Sequence, residues 1–276
     1  MPLEPNETRY ALLLSRWPRG RDFVTVSYSP GQLDLRLKLP IAFVVRSNQN
    51  NHGFVQDIAQ ILVDEPGSLR QAGALGVELD RDEAPVAGEY VFVPDIPETV
   101  FTESRGPESK RSGMFAAPAE PSPPMSESSH SSCTTSEETA FREALLGRDG
   151  LCYFSETSAP DCIATHIVPE SRPDVYAEIT GDPYQYLSSG GILLDRDLHK
   201  PYNDYAWSLY CKDDTYHFIA FDARHPSLAE RHGQSFTTAL MRREDPPDPA
   251  LCAWHFRQCV QKAVRGYSVG MAINAF

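Results

Sequence analysis

Apolar residues recur at regular intervals along the first hundred residues. In residues 23–28 and 33–39 they alternate with polar ones, which predicts half-buried β-strands. Residues 88–94 predict another strand, ended by a proline, and the continuous apolar run 41–45 predicts a buried strand. Residues 54–63 space their apolar side chains for one face of a short helix. This part of the chain is therefore expected to form a small β-rich unit.

The pattern after residue 139 mixes helical and extended segments. Residues 136–146 predict a helix, because a candidate capping hydroxyl is followed by acidic residues and then by apolar residues on one side. Further elements are expected in the following order: a strand at 192–194, a short helix at 197–205, a hairpin formed by 206–210 and 216–221, and a last helix at 251–264.

The composition changes between residues 102 and 138, which are rich in Pro, Ser and Glu and poor in large apolar residues. Such a segment buries too little surface to offset its chain entropy, so a flexible linker is expected. The predicted fold class is α+β. The predicted domains are a β-rich N-terminal domain of unassigned role (1–101), the linker (102–138) and a C-terminal globular domain (139–276).

The chain has 276 residues and a formal net charge of −13, which argues against a protein that coats nucleic acid with a basic face. A nuclease stays compatible, because a metal ion and a few arginines can hold a phosphate in an acidic protein. The hydropathy pattern predicts no membrane span and no secretory signal, so an intracellular location, cytoplasmic or nuclear, is expected. The six cysteines are then expected to be thiols or metal ligands.

Two histidine segments carry the candidate chemistry. His166 stands in CIATHIVPES, a short apolar segment that a proline ends. In DLHKPYN, His199 and Asn203 lie four residues apart, so a helix would place both on one face. An imidazole nitrogen and an amide oxygen one turn apart can share a divalent cation. Pro201 would have to lie in the first turn of that helix, where proline is tolerated.

Four segments, in this order, resemble the HNH endonuclease family, and most closely fungal proteins with an HNH domain. FREALLGRDGLCYFSE resembles the family's first helix, arginine–aspartate turn and cysteine-containing strand. CIATHIVPESR resembles its first histidine motif and GGILLDRDLHKPYND its second. LCAWHFRQCVQKAVRGYS resembles the helix that closes many fungal members, so the likeness covers about half the chain, residues 141–276.

The resemblance implies a ββα-metal fold, in which two strands hold the first histidine and a helix carries the last. It implies that His166 is a general base and that His199 binds one divalent ion, Mg, Mn or Zn. Asn203 is then a second ligand, and Thr165 stands at the position of a further one. Gly190 replaces an asparagine that in the family braces the base or binds metal. Whether this replacement abolishes activity stays open.

The expected reaction is metal-dependent hydrolysis of nucleic-acid phosphodiesters, with DNA favoured over RNA as partner. Arg172 and Arg196 are candidate phosphate clamps, and a plain surface role suits both equally. Two alternatives stay open for the whole chain: an HNH scaffold that binds or regulates without cutting, and an enzyme that uses the histidine pair on a small non-nucleic substrate.

Two smaller questions also stay open at this point. Cys152 and Cys162 are alternatively candidates for a structural zinc site with His166, although the CxxC spacing of strong zinc sites is absent. His255, in the last helix, is expected at an interface or on the surface. The oligomeric state is not indicated by the sequence.

Overall fold

The computed structural model describes residues 16–17, 22–28, 35–73, 77–108, 134–237 and 245–265. Within them the chain is a mixed α+β protein, as expected, with strands in one four-stranded, one two-stranded and one three-stranded sheet. No helix in this part of the chain is long and apolar enough to cross a membrane.

The N-terminal half is built on the four-stranded sheet, ordered β2-β1-β4-β3. β1 pairs with β2 in antiparallel and with β4 in parallel orientation. The predicted strands at 23–28 and 88–94 are confirmed. The one predicted at 33–39 is confirmed from residue 36 onward, and its residues 33–34 lie outside the described residues. The strands are β1 (Phe23–Tyr28), β2 (Arg36–Pro40), β3 (Gly67–Gln71) and β4 (Gly88–Pro94).

Two helices, α1 (Ile41–Arg46) and α2 (His52–Ile61), follow β2. The helix predicted at 54–63 is confirmed as α2, which the side chain of Asn51 caps by accepting from the Phe54 amide at 2.8 Å. The strand predicted at 41–45 is wrong, because the chain turns into α1 directly after β2. A short apolar run fits a buried helix as well as a strand, so its periodicity could not separate the two.

The C-terminal half contains the remaining helices and strands, and its predicted strand at 192–194, short helix, hairpin and last helix are confirmed. Its elements are α3 (Thr134–Asp149), β5 (Ile163–His166), α4 (Pro173–Thr180), β6 (Gly191–Leu194), α5 (Arg196–Asn203), β7 (Trp207–Lys212), β8 (Thr215–Ala220), α6 (Pro226–Arg231), β9 (Ser235–Thr237), α7 (Pro249–Val260) and a π-helical turn, Gln261–Arg265. β5 pairs with β6, and β7, β8 and β9 form the antiparallel three-stranded sheet.

The two halves share one hydrophobic core. Phe43 of α1 packs against Phe221 with ring centroids 6.0 Å apart, and Phe54 of α2 packs against Tyr210 at 5.2 Å. At Gly233, which has a φ of +88°, a Cβ would collide with the carbonyl oxygen of Arg46. A glycine there therefore permits both the left-handed backbone and the close approach of the two halves.

The segment expected to be a linker begins in packed structure and ends in a helix. Near its start, Ser104 donates to the carbonyl of Ile61 at 2.6 Å and accepts from Gln261 at 3.0 Å. Near its end, residues 134–138 already belong to α3. The centre of the segment, 109–133, lies outside the described residues.

Candidate active site

The two histidine segments fold into a compact strand–strand–helix unit formed by β5, β6 and α5. The strands pair in antiparallel register, with His166 opposite Gly191 and Ile163 opposite Leu194. Asp195 caps α5 by accepting from the Leu198 amide at 2.8 Å. The helix therefore begins at Arg196, and Pro201 lies in its second turn rather than in the first turn as expected.

A buried ion pair at the end of α3 anchors β6. The side chains of Arg148 and Asp149 are each 1% exposed. Arg148 donates to the carbonyls of Ser188 at 2.6 Å and Gly191 at 2.9 Å, and Asp149 accepts from the Leu193 amide at 3.2 Å. The arginine–aspartate turn thus fixes the strand that pairs with β5.

His166 ends β5, and its side chain is 15% exposed. The imidazole stacks on Phe141 of α3, with centroids 4.3 Å apart and planes 7° apart, and meets the edge of Tyr186 at 5.4 Å. Its Nε2 lies 3.3 Å from Oε1 of Glu170. Its Nδ1 is buried, and no group in the described part of the chain meets hydrogen-bond geometry with it. Nε2 therefore faces the Glu170 carboxylate, while Nδ1 faces the protein interior.

The electrostatic surroundings of His166 favour a neutral ring. Burial lowers the pKa of His166, while the Glu170 carboxylate and the backbone of Gln185 oppose that shift by favouring the imidazolium. A neutral imidazole near pH 7 has a lone pair available, which is the requirement for a general base.

His199 and Asn203 project from one face of α5, as their spacing predicted. Nδ2 of Asn203 lies 3.1 Å from Nε2 of His199. Burial lowers the pKa of His199, so its imidazole is also held neutral near pH 7. The helix therefore presents an imidazole nitrogen and an amide at nearly the same point in space.

A cavity of about 320 Å³ joins the two halves of the site. Four of the residues singled out in the sequence, His166, His199, Asn203 and Thr165, contribute to its lining. Thr165 is buried, and its hydroxyl donates to the carbonyl of Ile163 at 3.2 Å. The cavity therefore brings together the proposed base and the proposed ligand pair.

The two candidate phosphate clamps do not line this cavity. Arg172 is buried, and its guanidinium contacts Asp174 at 2.8 Å and lies over the Trp254 ring at 5.7 Å. Its remaining NH1 group donates to the carbonyl of Glu108. Arg196 is exposed at the start of α5. A contact of Arg172 or Arg196 with the substrate stays a prediction. In Arg172 the guanidinium N–H groups already donate to Asp174 and Glu108.

The structure adds cavity residues that sequence reasoning did not select. Glu170 lies beside the base. His255, expected at the surface or an interface, is buried in the cavity floor, stacked on Tyr202 at 3.9 Å and on Tyr205 at 4.8 Å. Burial lowers the pKa of His255 to about 3. The apolar neighbours Trp254 and Phe256 were a signal for burial of this helix, but its partners lie far away in the sequence.

Few side chains in the cavity could serve as ligands of a divalent ion. In the described residues no three His, Cys, Asp or Glu side chains converge as a metal-binding group. Cys152 and Cys162 therefore do not form such a group with His166. Two ligands bound at about 2.1 Å and at right angles are about 3.0 Å apart. The 3.1 Å between Nδ2 of Asn203 and Nε2 of His199 is the distance of a hydrogen bond, so this pair could hold an ion only with that bond broken and the amide turned to present its oxygen.

Comparisons of the chain with protein-family models, curated proteins and solved structures gave no match. The geometry of the cavity and the chemistry of its lining therefore carry the functional argument.

Proposed function

We propose that this protein is a metal-dependent endonuclease of the HNH type, which hydrolyses phosphodiester bonds of nucleic acid, DNA in preference to RNA. His166 is the general base, and His199 with Asn203 holds one divalent ion, Mg, Mn or Zn. The observation that supports this proposal is the convergence of a neutral imidazole and an imidazole–amide pair on one cavity.

The chain's own residues define the proton transfer. Nε2 of His166 accepts a proton from a water molecule, whose oxygen forms the new bond to phosphorus while the bond to the leaving oxygen breaks. Phe141 fixes the plane of the ring by stacking, and burial keeps the ring neutral before the step. The imidazolium that forms is stabilised by Glu170, 3.3 Å from Nε2.

His199 and Asn203 are the residues that would hold the ion. A bound divalent ion polarises the phosphate and offsets charge on the leaving oxygen. Both protein ligands are neutral, so affinity is expected to be modest compared with a site that includes a carboxylate. The hydroxyl of Thr165 donates its proton to the carbonyl of Ile163, which leaves the lone pairs of its oxygen for a further contact with the ion.

The proposal is tested by cleavage of supercoiled plasmid DNA and of RNA in Mg²⁺, Mn²⁺ and Zn²⁺. Cleavage is expected to require a divalent ion and to be lost in His166→Ala. His225→Ala is the matched control, because His225 is exposed and does not line the cavity. Equal cleavage by wild type and His166→Ala, or none by wild type in any metal, would refute the assignment.

One observation favours the alternative of a scaffold that binds without cutting. The residues that line the cavity include the carboxylate of Glu170 but no lysine or arginine. Such a lining gives a phosphate no cation besides the metal. Binding of either nucleic acid at low salt without cleavage would support this alternative, and failure to bind both would leave a small non-nucleic substrate.

A further inference from the structure

Two hydrogen bonds from neighbouring elements hold the chain that follows His166. The amide of Ile167 donates to the carbonyl of Gly190 at 2.9 Å. The hydroxyl of Tyr176, in α4, lies 3.0 Å from the carbonyl of Val168 and 3.3 Å from that of Gly190. Tyr176 therefore joins the loop after the base to the residue that precedes β6.

The position of Tyr176 suits a fixed support. Its side chain is 1% exposed and belongs to the hydrophobic core. Burial raises the pKa of Tyr176, so its hydroxyl remains protonated and able to donate throughout the physiological pH range. A donor fixed by packing loses little entropy when it forms a hydrogen bond, so the single proton of the hydroxyl can be shared between the carbonyls of Val168 and Gly190.

The glycine at position 190 makes room for this tyrosine. A Cβ on Gly190 would stand 3.3 Å from Cε1 of Tyr176 and 3.2 Å from the carbonyl oxygen of Gln185. Both distances are tighter than ordinary van der Waals contact, so a side chain here would displace the tyrosine ring or the loop. The space next to the base-bearing loop is occupied by Tyr176.

The neighbouring glycine makes room for the ring that stacks on the imidazole. A Cβ on Gly191 would overlap the ring of Phe141, which stacks on His166. Two adjacent glycines thus admit two aromatic side chains, one against the imidazole and one against the loop that follows it. The sequence Gly190-Gly191 is explained by these two close approaches.

We propose that Tyr176 is a positioning residue for His166 and that Gly190 is required because it admits the tyrosine ring. This inference rests on the proposed function for its catalytic consequence. Its structural part, the support of the loop after His166, can be measured without any cleavage.

Tyr176→Phe is the decisive variant, because it removes the hydroxyl and keeps the ring. Tyr28→Phe is the matched control: Tyr28 is 3% exposed, and its hydroxyl donates to the carbonyl of Ala59 at 2.8 Å, in the N-terminal sheet. Both variants lose one buried hydroxyl that donates to a backbone carbonyl, so their global stability losses are expected to be similar. Any excess effect at His166 is then local.

Three readouts separate a positioning role from a merely structural one. In Tyr176→Phe the Ile167 amide is expected to exchange with solvent roughly tenfold faster than in Tyr28→Phe, because the loop opens locally. The NMR titration of His166 moves to higher pH as its ring gains water. The kcat for DNA cleavage is expected to fall by roughly tenfold with KM unchanged. Loss of a group that orients a functional side chain typically costs about 10–100-fold in activity, and one hydroxyl is expected to lie at the lower end of that range.

A second pair of variants tests the glycine. Gly190→Ala is expected to reproduce the effects of Tyr176→Phe on Ile167 exchange and on the His166 titration. Gly88→Ala is its control, because a Cβ there meets no atom within 4 Å. Neither glycine has a left-handed backbone conformation, so the contrast reports the contact with Tyr176.

The outcomes distinguish the two proposals. If wild type does not cleave, the proposed function fails. The exchange rate of the Ile167 amide and the NMR titration of His166 still test whether Tyr176 supports the loop. If Tyr176→Phe matches Tyr28→Phe in both measurements, the positioning role is overturned, whether or not the protein cuts DNA.

Discussion

Replacing Arg148 is expected to destabilise the protein more than replacing any surface arginine. Arg148→Met leaves Asp149 charged in the interior and removes the donor shared by the carbonyls of Ser188, Gly191 and Asp245. Removing one partner of a buried ion pair costs about 3–5 kcal/mol. In a chain somewhat smaller than this one, a loss of 1 kcal/mol lowers the Tm by roughly 2–4 °C. A loss of about 3–5 kcal/mol should therefore lower the Tm by about 6–20 °C.

Urea denaturation followed by tryptophan fluorescence, together with the thermal midpoint, measures this loss. Arg81→Ala is the control, because Arg81 contacts Asp57 at 2.8 Å on the surface, where the side chains are 53% and 37% exposed. Such a pair contributes about 0.2–1 kcal/mol.

A double variant tests the cause of the loss. Arg148→Met with Asp149→Asn keeps an acceptor for the Leu193 amide and leaves no buried charge. It is expected to be more stable than Arg148→Met alone. A double variant less stable than that single variant, or a single variant that loses under 1 kcal/mol, would show that the uncompensated charge is not the cause.

Three further predictions concern charge at the site and in the core. Glu170→Gln removes the charge that favours the imidazolium of His166, so the acid limb of kcat/KM against pH should move to lower pH; an upward move would contradict this. Asn203→Asp adds a charged ligand, so Mg²⁺ affinity measured by calorimetry should rise by about tenfold, and unchanged affinity would argue against this ligand. Burial lowers the pKa of His232 to about 4 from an ordinary value of 6.5, so the folded state binds fewer protons than the unfolded chain between these values. Stability should therefore fall by roughly 3 kcal/mol as pH drops through that window, and urea midpoints should show a flatter fall in His232→Gln.

Local patterns predicted much of the site's scaffold. The short apolar run of β6 and the spacing of His199 and Asn203 are properties of neighbouring residues, so the strand and the helix face could be read directly. The expectation that the two histidines belong to one unit came from the resemblance to the HNH family. The reason for a glycine at position 190 could not be predicted from neighbouring residues. It depends on contact with Tyr176, which lies fourteen residues earlier in a helix.

The unforeseen parts depend on partners distant in sequence. Phe141 was expected on the apolar side of a helix, but its stacking on His166 follows only from the packing of α3 on β6. His255 lies between Tyr202 and Tyr205 because α7 packs on β7, which no spacing along α7 reveals. The helix at 41–46 replaced the expected strand because one short apolar run satisfies both patterns.

The close approach at Gly233 has a consequence for dissecting the molecule. The backbone of Arg46 and the rings of Phe43 and Phe54 cover side chains that belong to the C-terminal half. A fragment that starts at α3 would carry the whole cavity but expose the apolar surface around Phe221 and Tyr210 to water. Such a truncation is expected to aggregate, so the histidine site has to be produced together with the N-terminal sheet that covers this surface.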